Sequence, residues 1–245
     1  MPREKVKVVY LGAPLDEFGG ERSPAERRAV RRGFGAGDDD LVVGTVTRLH
    51  DSKGNEYLVE AARNVIDRFP RALFVLAGEG PLRPRLEEQA RALRLRDRFV
   101  FAGFVRDVAG LLSAFDISVF PSLWEGTPLT AFEALAAGKA IVSTDADGLL
   151  DVLTDGQDAL IVPKRDASGL ADRIVWLLER PEERARLSVA ARESGREYDI
   201  GAFVRKMERL YTLLHEVSRK TKRKGILAAD LSFLGPARRE ERSRL

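Results

Sequence analysis

From residue 41 onward, short β-branched or aromatic runs alternate with longer stretches of helical period. Strands are expected at 41–47 (LVVGTVT), 72–77 (ALFVLA), 99–102 (FVFA), 116–120 (DISVF), 139–143 (KAIVS) and 159–162 (ALIV). Helices are expected near 54–68, 82–95, 106–114, 128–137 and 167–179. The strand runs are almost wholly apolar instead of alternating, as in a parallel sheet covered by helices on both faces. The order therefore predicts an α/β fold, a Rossmann-like doubly wound parallel sheet. Pro181 opens a further helix to about Gly195. Beyond it, Phe203, Met207, Leu210, Leu214 and Val217 mark one apolar stripe on an amphipathic C-terminal helix, which needs a surface to lie on.

The pattern divides the chain. Residues 5–10 (KVKVVY) form a seventh strand candidate, so that 1–18 reads as the remnant of an interdomain segment. Residues 19–40, rich in Gly, Arg and Asp, read as a linker followed by a short helix. Residues 41–217 form the principal domain with its C-terminal helices. Residues 218–245 lack the apolar content to fold alone and are expected to be a mobile basic tail. Charge sharpens this division. The tail carries nine Lys or Arg against Asp230, Glu240 and Glu241, a surplus of six, and since the whole chain is at +3, residues 1–217 stand at −3. A nucleic-acid-binding body is expected to carry the basic surplus itself, so nucleic acid is not expected as a partner. The absence of cysteine excludes thiolate metal sites, disulfides and cysteine nucleophiles, and only His50 and His215 offer imidazole. No apolar run reaches the roughly 18 to 20 residues of a membrane-spanning helix, and the amino terminus lacks a signal-peptide pattern, so a cytoplasmic protein is expected.

In open α/β sheets, ligands bind beyond the carboxyl ends of the strands. Arg48 and Lys53 follow the first strand; Gly78, Glu79 and Gly80 the second; Gly103 the third; Glu125 and Gly126 the fourth. A helix opening at Pro128 would turn the backbone N–H groups of Thr127, Leu129 and Thr130, and its positive dipole end, to the same rim. With Arg48 and Lys53 that makes a site for a diphosphate. Glu125 and Glu133 are eight positions apart, about 12 Å of helical rise, so one carboxylate can hold each end of such a ligand. Carboxylates accept hydrogen bonds from hydroxyls, so both ends should be sugars. The segment AGEGPL is not a GxGxxG fingerprint, and none follows the first strand, which disfavours a dinucleotide dehydrogenase. The lack of Tyr-x-x-x-Lys argues likewise against an epimerase.

These residues resemble a known family: retaining glycosyltransferases of the GT-B fold, family 4, and specifically their carboxyl-terminal, donor-binding half. The likeness runs from about Val43 to about Tyr211. It is carried by GTVTRLHDSKG, FVLAGEGPLR, DRFVFAGFVRDV, DISVFPSLWEGTPLTAFEALAAGKAIVSTDADG and DALIVPKRDASGLADRI in that order. The resemblance implies that Arg48 and Lys53 grip the donor diphosphate, that Glu133 binds the ribose hydroxyls, and that Glu125 contacts the transferred sugar beside the reacting carbon. It implies that backbone around Thr127, Pro128 and Leu129 meets the distal phosphate and that backbone near Phe104 and Val105 holds the base; Gly126 and Gly78 are counted with these as donor-binding residues. No metal and no cofactor are implied; the donor is a UDP-, GDP- or ADP-sugar and the acceptor a glycan or a lipid-linked hydroxyl. Two departures stand out. Asp147-Gly148-Leu149-Leu150-Asp151 replaces the usual Gly-Gly and Pro-Glu of the donor-sugar loop, and Leu11-Gly12 replaces Asn-Gly. Family members also normally begin with a second Rossmann-like domain. The expectation is therefore an enzyme half that is inactive without an amino-terminal domain, supplied by a partner chain or replaced by self-association.

Plainer readings accompany each of these. The two glutamates could lie on a solvated helix face, and Arg48 and Lys53 could be surface charge. Glu79 divides evenly between ligand contact and turn, Trp124 reads as packing, and Asp116 and Asp145 as structural. The basic tail reads as a solvated terminus, with peripheral contact at an anionic inner membrane surface as the alternative. The rival function is a non-catalytic Rossmann module or truncated remnant that binds nucleotide sugar or a protein partner.

Overall fold

The computed structural model of the chain describes residues 8–20, 22–220 and 234. Six strands, β1 (Leu41–Val46), β2 (Ala72–Ala77), β3 (Phe99–Gly103), β4 (Ile117–Phe120), β5 (Ala140–Thr144) and β6 (Leu160–Val162), form one sheet in the order β3-β2-β1-β4-β5-β6. Every pairing in it is parallel. The helices are α1 (Leu15–Phe18), α2 (Pro24–Gly33), α3 (Asn55–Arg68), α4 (Arg83–Ala92), α5 (Val108–Ala114), α6 (Leu129–Ala136), α7 (Asp147–Leu150), α8 (Ala167–Glu179), α9 (Pro181–Gly195) and α10 (Ile200–Lys220).

Why the strands read as unbroken apolar runs is visible in β2. Phe74 and Leu76 turn to one face, Leu73 and Val75 to the other, and all four are buried. On the first face they belong to one core cluster with Leu58 and Val65 of α3, Leu86 of α4 and Ile174 of α8. On the second they belong to one core cluster with Leu111 of α5, Phe132 and Leu135 of α6 and Leu149 of α7. The doubly wound parallel sheet expected from the pattern is the sheet found, each strand within one residue of its expected ends.

Helix ends differ for local reasons. Helix α4 stops at Ala92, short of 95, because Arg94 adopts a left-handed φ of 55° and the Leu95 N–H closes back on Ala90 O at 3.0 Å. Helix α5 starts at Val108, not 106, because the Asp107 side chain accepts from Gly110 N–H at 2.8 Å and caps the first turn.

Residues 8–10 of the expected strand 5–10 are not in a strand, and residues 5–7 lie outside the described residues. Instead of adding to a sheet edge, this segment leads to the turn before α10. Ala13 N–H donates to Tyr198 O at 2.8 Å, Ile200 N–H donates to Ala13 O at 3.1 Å, and the rings of Tyr10 and Tyr198 meet edge to face with centroids 6.2 Å apart. In the segment 19–40, α2 is opened by a capping box between Ser23 and Glu26 and bound to the domain by arginines. Arg27 donates to Ser113 O at 2.9 Å and Arg31 to Ala114 O at 3.2 Å, so two guanidinium groups satisfy carbonyls at the carboxyl end of α5. Arg31 also pairs with Asp116 at 3.0 Å, where both side chains are largely buried.

Of the stripe expected on helix α10, Phe203, Met207 and Leu210 are half-buried and join Val8–Leu11 along one wall of a cavity of about 530 Å³, and the side chain of Val217 lies outside the described residues. The tail lies outside the described residues from 221 to 233 and from 235 to 245.

Candidate functional site

The strand order reverses between β1 and β4, so the loops leaving their carboxyl ends diverge and leave a crevice there. Those loops are residues 47–54 and 121–128, the two that carry Arg48, Lys53 and Glu125.

The first loop is fixed before it bears any chemistry. Thr47 N–H donates to Ala77 O and Leu49 N–H to Glu79 O, both at 2.9 Å, which prolongs the β1–β2 pairing past the strand ends. Gly78 accommodates this, since a Cβ at its φ of 135° would lie 1.8 Å from Thr47 O. The loop then makes one tight turn over Asp51–Lys53, and buried Asn55 at the start of α3 donates from Nδ2 to Arg48 O at 3.3 Å. Arg48 is exposed, and its guanidinium bonds to no described residue.

The second loop is clamped from both sides. Leu123 and Trp124 donate backbone N–H groups to Ser52 O at 2.9 and 3.2 Å, tying it to the first loop. On the other side α7 presses against it at Gly148, where a Cβ would stand 2.6 Å from Glu125 O and 2.7 Å from Gly126 O. Thr144, at the end of β5, donates its hydroxyl to Ser122 O. Within that frame Glu125 Oε1 accepts from Lys53 Nζ at 2.6 Å and from Ser122 Oγ at 2.8 Å. The Lys53 and Glu125 side chains are only 16% and 9% exposed, so this is a buried ion pair whose partners depend on one another, unlike a solvent-screened surface contact.

Helix α6 opens at the same rim with no side-chain cap; Pro128 holds the cap position. Of the three N–H groups expected to be free there, that of Leu129 is not, because it donates to Thr127 O at 3.0 Å. Thr127 is exposed and its N–H meets no described acceptor. Glu133 lies on the second turn of α6, half-buried, and its carboxylate makes no hydrogen bond to a described residue. Burial, and then the Glu17 carboxylate of neighbouring α1, push its pKa above the ordinary carboxylate value.

The expected site residues thus fall into three groups. Lys53 and Glu125 touch. Arg48 and Gly126–Leu129 share their rim, with Gly78 beneath Thr47. Glu133 stands about 7.5 Å of helical rise from Pro128, facing α1. Phe104 and Val105 follow β3, two strands from β1; Phe104 is 74% exposed, while Val105 packs into the second core. Glu79 pairs with Arg83 at 2.7 Å. His50 and His215 are exposed, and Asp116 is structural, bound by Arg31 and accepting from Val42 N–H at 2.7 Å. The sequence reading did not single out Thr144, Asn55 or Glu17. A Ser-Thr pair closing an otherwise apolar strand at 143–144 was the available signal for the first.

The family model described as glycosyl transferases group 1 matches residues 26–194. An alpha-D-kanosaminyltransferase of Streptomyces kanamyceticus is 32% identical over 191 residues, 77% of this chain and 49% of that protein. The chain spans about half the length of the curated relatives it matches. Among solved structures, Anabaena HepE in complex with UDP superposes with a TM-score of 0.78 at 23% identity, over 84% of this chain and 57% of that one. The C-terminal domain of LpcC, a glycosyl transferase group 1 family protein from Francisella tularensis, is covered over its entire length by 77% of this chain, with a TM-score of 0.69 and 22% identity.

Proposed function

The chain belongs to the glycosyl transferases group 1 family, and from that premise we propose that its crevice binds a nucleoside diphosphate sugar as the donor half of a retaining, metal-independent sugar transfer. The observation that carries the reading is the meeting, across the β1–β4 gap, of a pinned carboxylate, an unpartnered guanidinium and an uncapped helix terminus. Arg48 and the N–H groups around Thr127 offset the diphosphate charge, with Lys53 adding to the potential of the same rim. Glu125, set between them, accepts hydrogen bonds from the sugar hydroxyls. Glu133, a carboxylate in need of donors, takes the ribose diol. Adjacent strands are spaced about 4.8 Å apart, so the β3 corner at Phe104 and Val105 lies about 10 Å from β1, the reach of a nucleoside.

Transfer then breaks the bond between the anomeric carbon and the phosphate oxygen while the acceptor oxygen bonds to the same face of that carbon. The acceptor proton passes to the departing phosphate oxygen. Fixed cations and helix N–H groups stabilise the charge that grows on the leaving diphosphate, which is where preorganised electrostatics lower a barrier most. The acceptor, a glycan or lipid-linked hydroxyl, would approach from the side of Gly126–Pro128, where an amino-terminal domain is needed to complete the cleft. We place the reaction in the cytoplasm, at the inner membrane surface if the acceptor is a lipid.

Calorimetric titration with UDP, GDP and ADP tests the donor half of this reading. One of the three should bind, and Arg48→Ala and Glu133→Ala should each weaken it by about tenfold, the loss of one charge-assisted hydrogen bond. Unchanged affinity in both variants would remove the site assignment. Anabaena HepE, solved with UDP-glucose, makes UDP the first choice of probe.

A further inference from the structure

At the amino ends of the strands, opposite the crevice, four cations gather beside the last turn of α5. Arg27 Nε donates to Ser113 O at 2.9 Å and Arg31 Nη1 to Ala114 O at 3.2 Å; Lys139 Nζ, from the residue before β5, donates to Phe115 O at 3.2 Å. Arg192 of α9 completes the group, its Nε 2.7 Å from where a Cβ on Gly138 would lie. The Arg192 side chain is exposed and makes no hydrogen bond to a described residue, and neither terminal nitrogen of Arg27 makes one. Asp116 is the carboxylate facing Lys139, and its Oδ2 is already held by Arg31 at 3.0 Å and by Val42 N–H at 2.7 Å.

Burial, then Arg27, and more weakly Arg192 and Arg31, outweigh the attraction of Asp116 and bring the Lys139 amine down to about 8. Near pH 7.5 about a quarter of these side chains are then the free amine, where an ordinary lysine has about one in a thousand. The three guanidinium groups that repel an ammonium would attract an anion at the same atom. We propose that Lys139 is a carbamate-forming site: its amine adds dissolved CO2, and the product is held by the free nitrogens of Arg27 and by Arg192. The Nζ lone pair bonds to the carbon of CO2, one C–O π pair withdraws onto oxygen, and the nitrogen gives one proton to water, so that amine and CO2 become a carbamate anion and H⁺. The N–H that remains keeps its bond to Phe115 O. Four cations around one carboxylate become three cations around two anions, which ties α2 and α9 to one point. Arg27, Arg31 and Asp116 also line a cavity of about 700 Å³, the side from which CO2 approaches.

The test equilibrates the whole chain with ¹³C-labelled bicarbonate and CO2 near pH 7.5, traps carbamates by alkylation with triethyloxonium, and locates them by tandem mass spectrometry. Lys139 should carry label at least about tenfold above exposed Lys164, and less as pH falls to about 6, where the ammonium dominates. Arg192→Met and Arg27→Met should each lower that occupancy by about threefold, since each removes a partner of the carbamate and a repulsion that frees the amine; Arg192→Lys, which keeps the charge, should retain most of it. Arg192→Met breaks no bond to a described residue, so it reports even if Arg27→Met fails to fold. Added bicarbonate should raise the thermal midpoint of the wild type and leave that of Lys139→Met unchanged. Lys139 labelled no more than Lys164, occupancy unchanged in Arg192→Met, or a bicarbonate response that survives in Lys139→Met overturns the inference. None of these results bears on the donor site.

Discussion

Glu133 and Lys139 are two ionisable groups that the fold holds at a cost, at opposite ends of the sheet. Burial and Glu17 raise the Glu133 carboxyl above its ordinary 4.5, so the folded state holds that proton more firmly than the unfolded chain does. Stability is then lost as pH rises above 4.5 and the carboxylate forms. Glu133→Gln escapes this loss. It should raise the thermal midpoint at pH 7, with the gain vanishing as pH falls below 4.5, while nucleotide affinity drops; a variant less stable at pH 7 would deny that the group is strained. Lys139 shows the opposite sign. Burial, with Arg27 the next cause, lowers its pKa from 10.5 to about 8, although Nζ donates to Phe115 O at 3.2 Å. Below pH 8 both states carry the proton and the penalty is complete; between 8 and 10.5 the folded state sheds it first and stability rises. Lys139→Met should therefore stabilise the chain at pH 7 by about 2 kcal/mol, or about 5 °C, after allowing for the lost hydrogen bond. Melting curves of both proteins from pH 7 to 10.5 should converge as the wild type gains. The contrast separates function from packing: an uncomfortable carboxylate at the ligand rim has a use for its strain, and the buried lysine at the far end has none in the donor reaction.

Among the elements, α2 shows what an apolar pattern leaves unsaid. Its residues PAERRAVRRG contain no core stripe, and no residue of it is buried, so the pattern of the chain marks it only as a short helix beside a linker. It is held by guanidinium groups reaching carbonyls and Asp116 on α5 and the start of β4. Arg31→Met should strand the Asp116 carboxylate and cost about 3 kcal/mol in urea unfolding, and Asp116→Asn in the same chain should recover part of that loss. A cost below about 0.5 kcal/mol would mean that the pair behaves as a surface ion pair. The strands were legible for the converse reason. Burial on two faces demands unbroken apolar runs, and ALFVLA or KAIVS admits few other readings. What the runs could not convey was contact across the sheet. Lys53 and Glu125 are 72 residues apart, and only the β1–β4 reversal makes them neighbours. The sequence makes Glu133 the far clasp of a ligand, while its raised proton affinity comes first from burial and then from Glu17, a residue on a helix too short to leave a periodic signal. Thr144 was hidden because a hydroxyl at the end of an apolar strand looks like the strand's end, and its partner is a backbone carbonyl that carries no identity in sequence.

At the scale of the molecule, the crevice lies where the sheet could most easily be divided. The two halves of the sheet, β3-β2-β1 and β4-β5-β6, are joined by the β1–β4 pairing alone, and that ladder registers only Val43 with Ile117 and Gly44 with Ser118. The loops beyond it are stitched by Ser52 to Leu123 and by Lys53 to Glu125. A ligand gripped by Arg48 on one side and by Thr127 on the other spans this seam, so its binding energy should appear as resistance of the whole fold to unfolding and not merely as ordering of two loops. A nucleotide at a hundred times its dissociation constant adds about 2.7 kcal/mol, which for a chain of this size is a rise of about 5–10 °C in the thermal midpoint. UDP, or whichever diphosphate binds, should produce that rise in a single cooperative transition. Arg48→Ala, binding about tenfold more weakly, should remove about half of it at the same ligand concentration without lowering the ligand-free midpoint, since its guanidinium holds no part of the fold. Two separate transitions, with only one responding to nucleotide, would mean that the halves unfold independently and that the ligand does not bridge them.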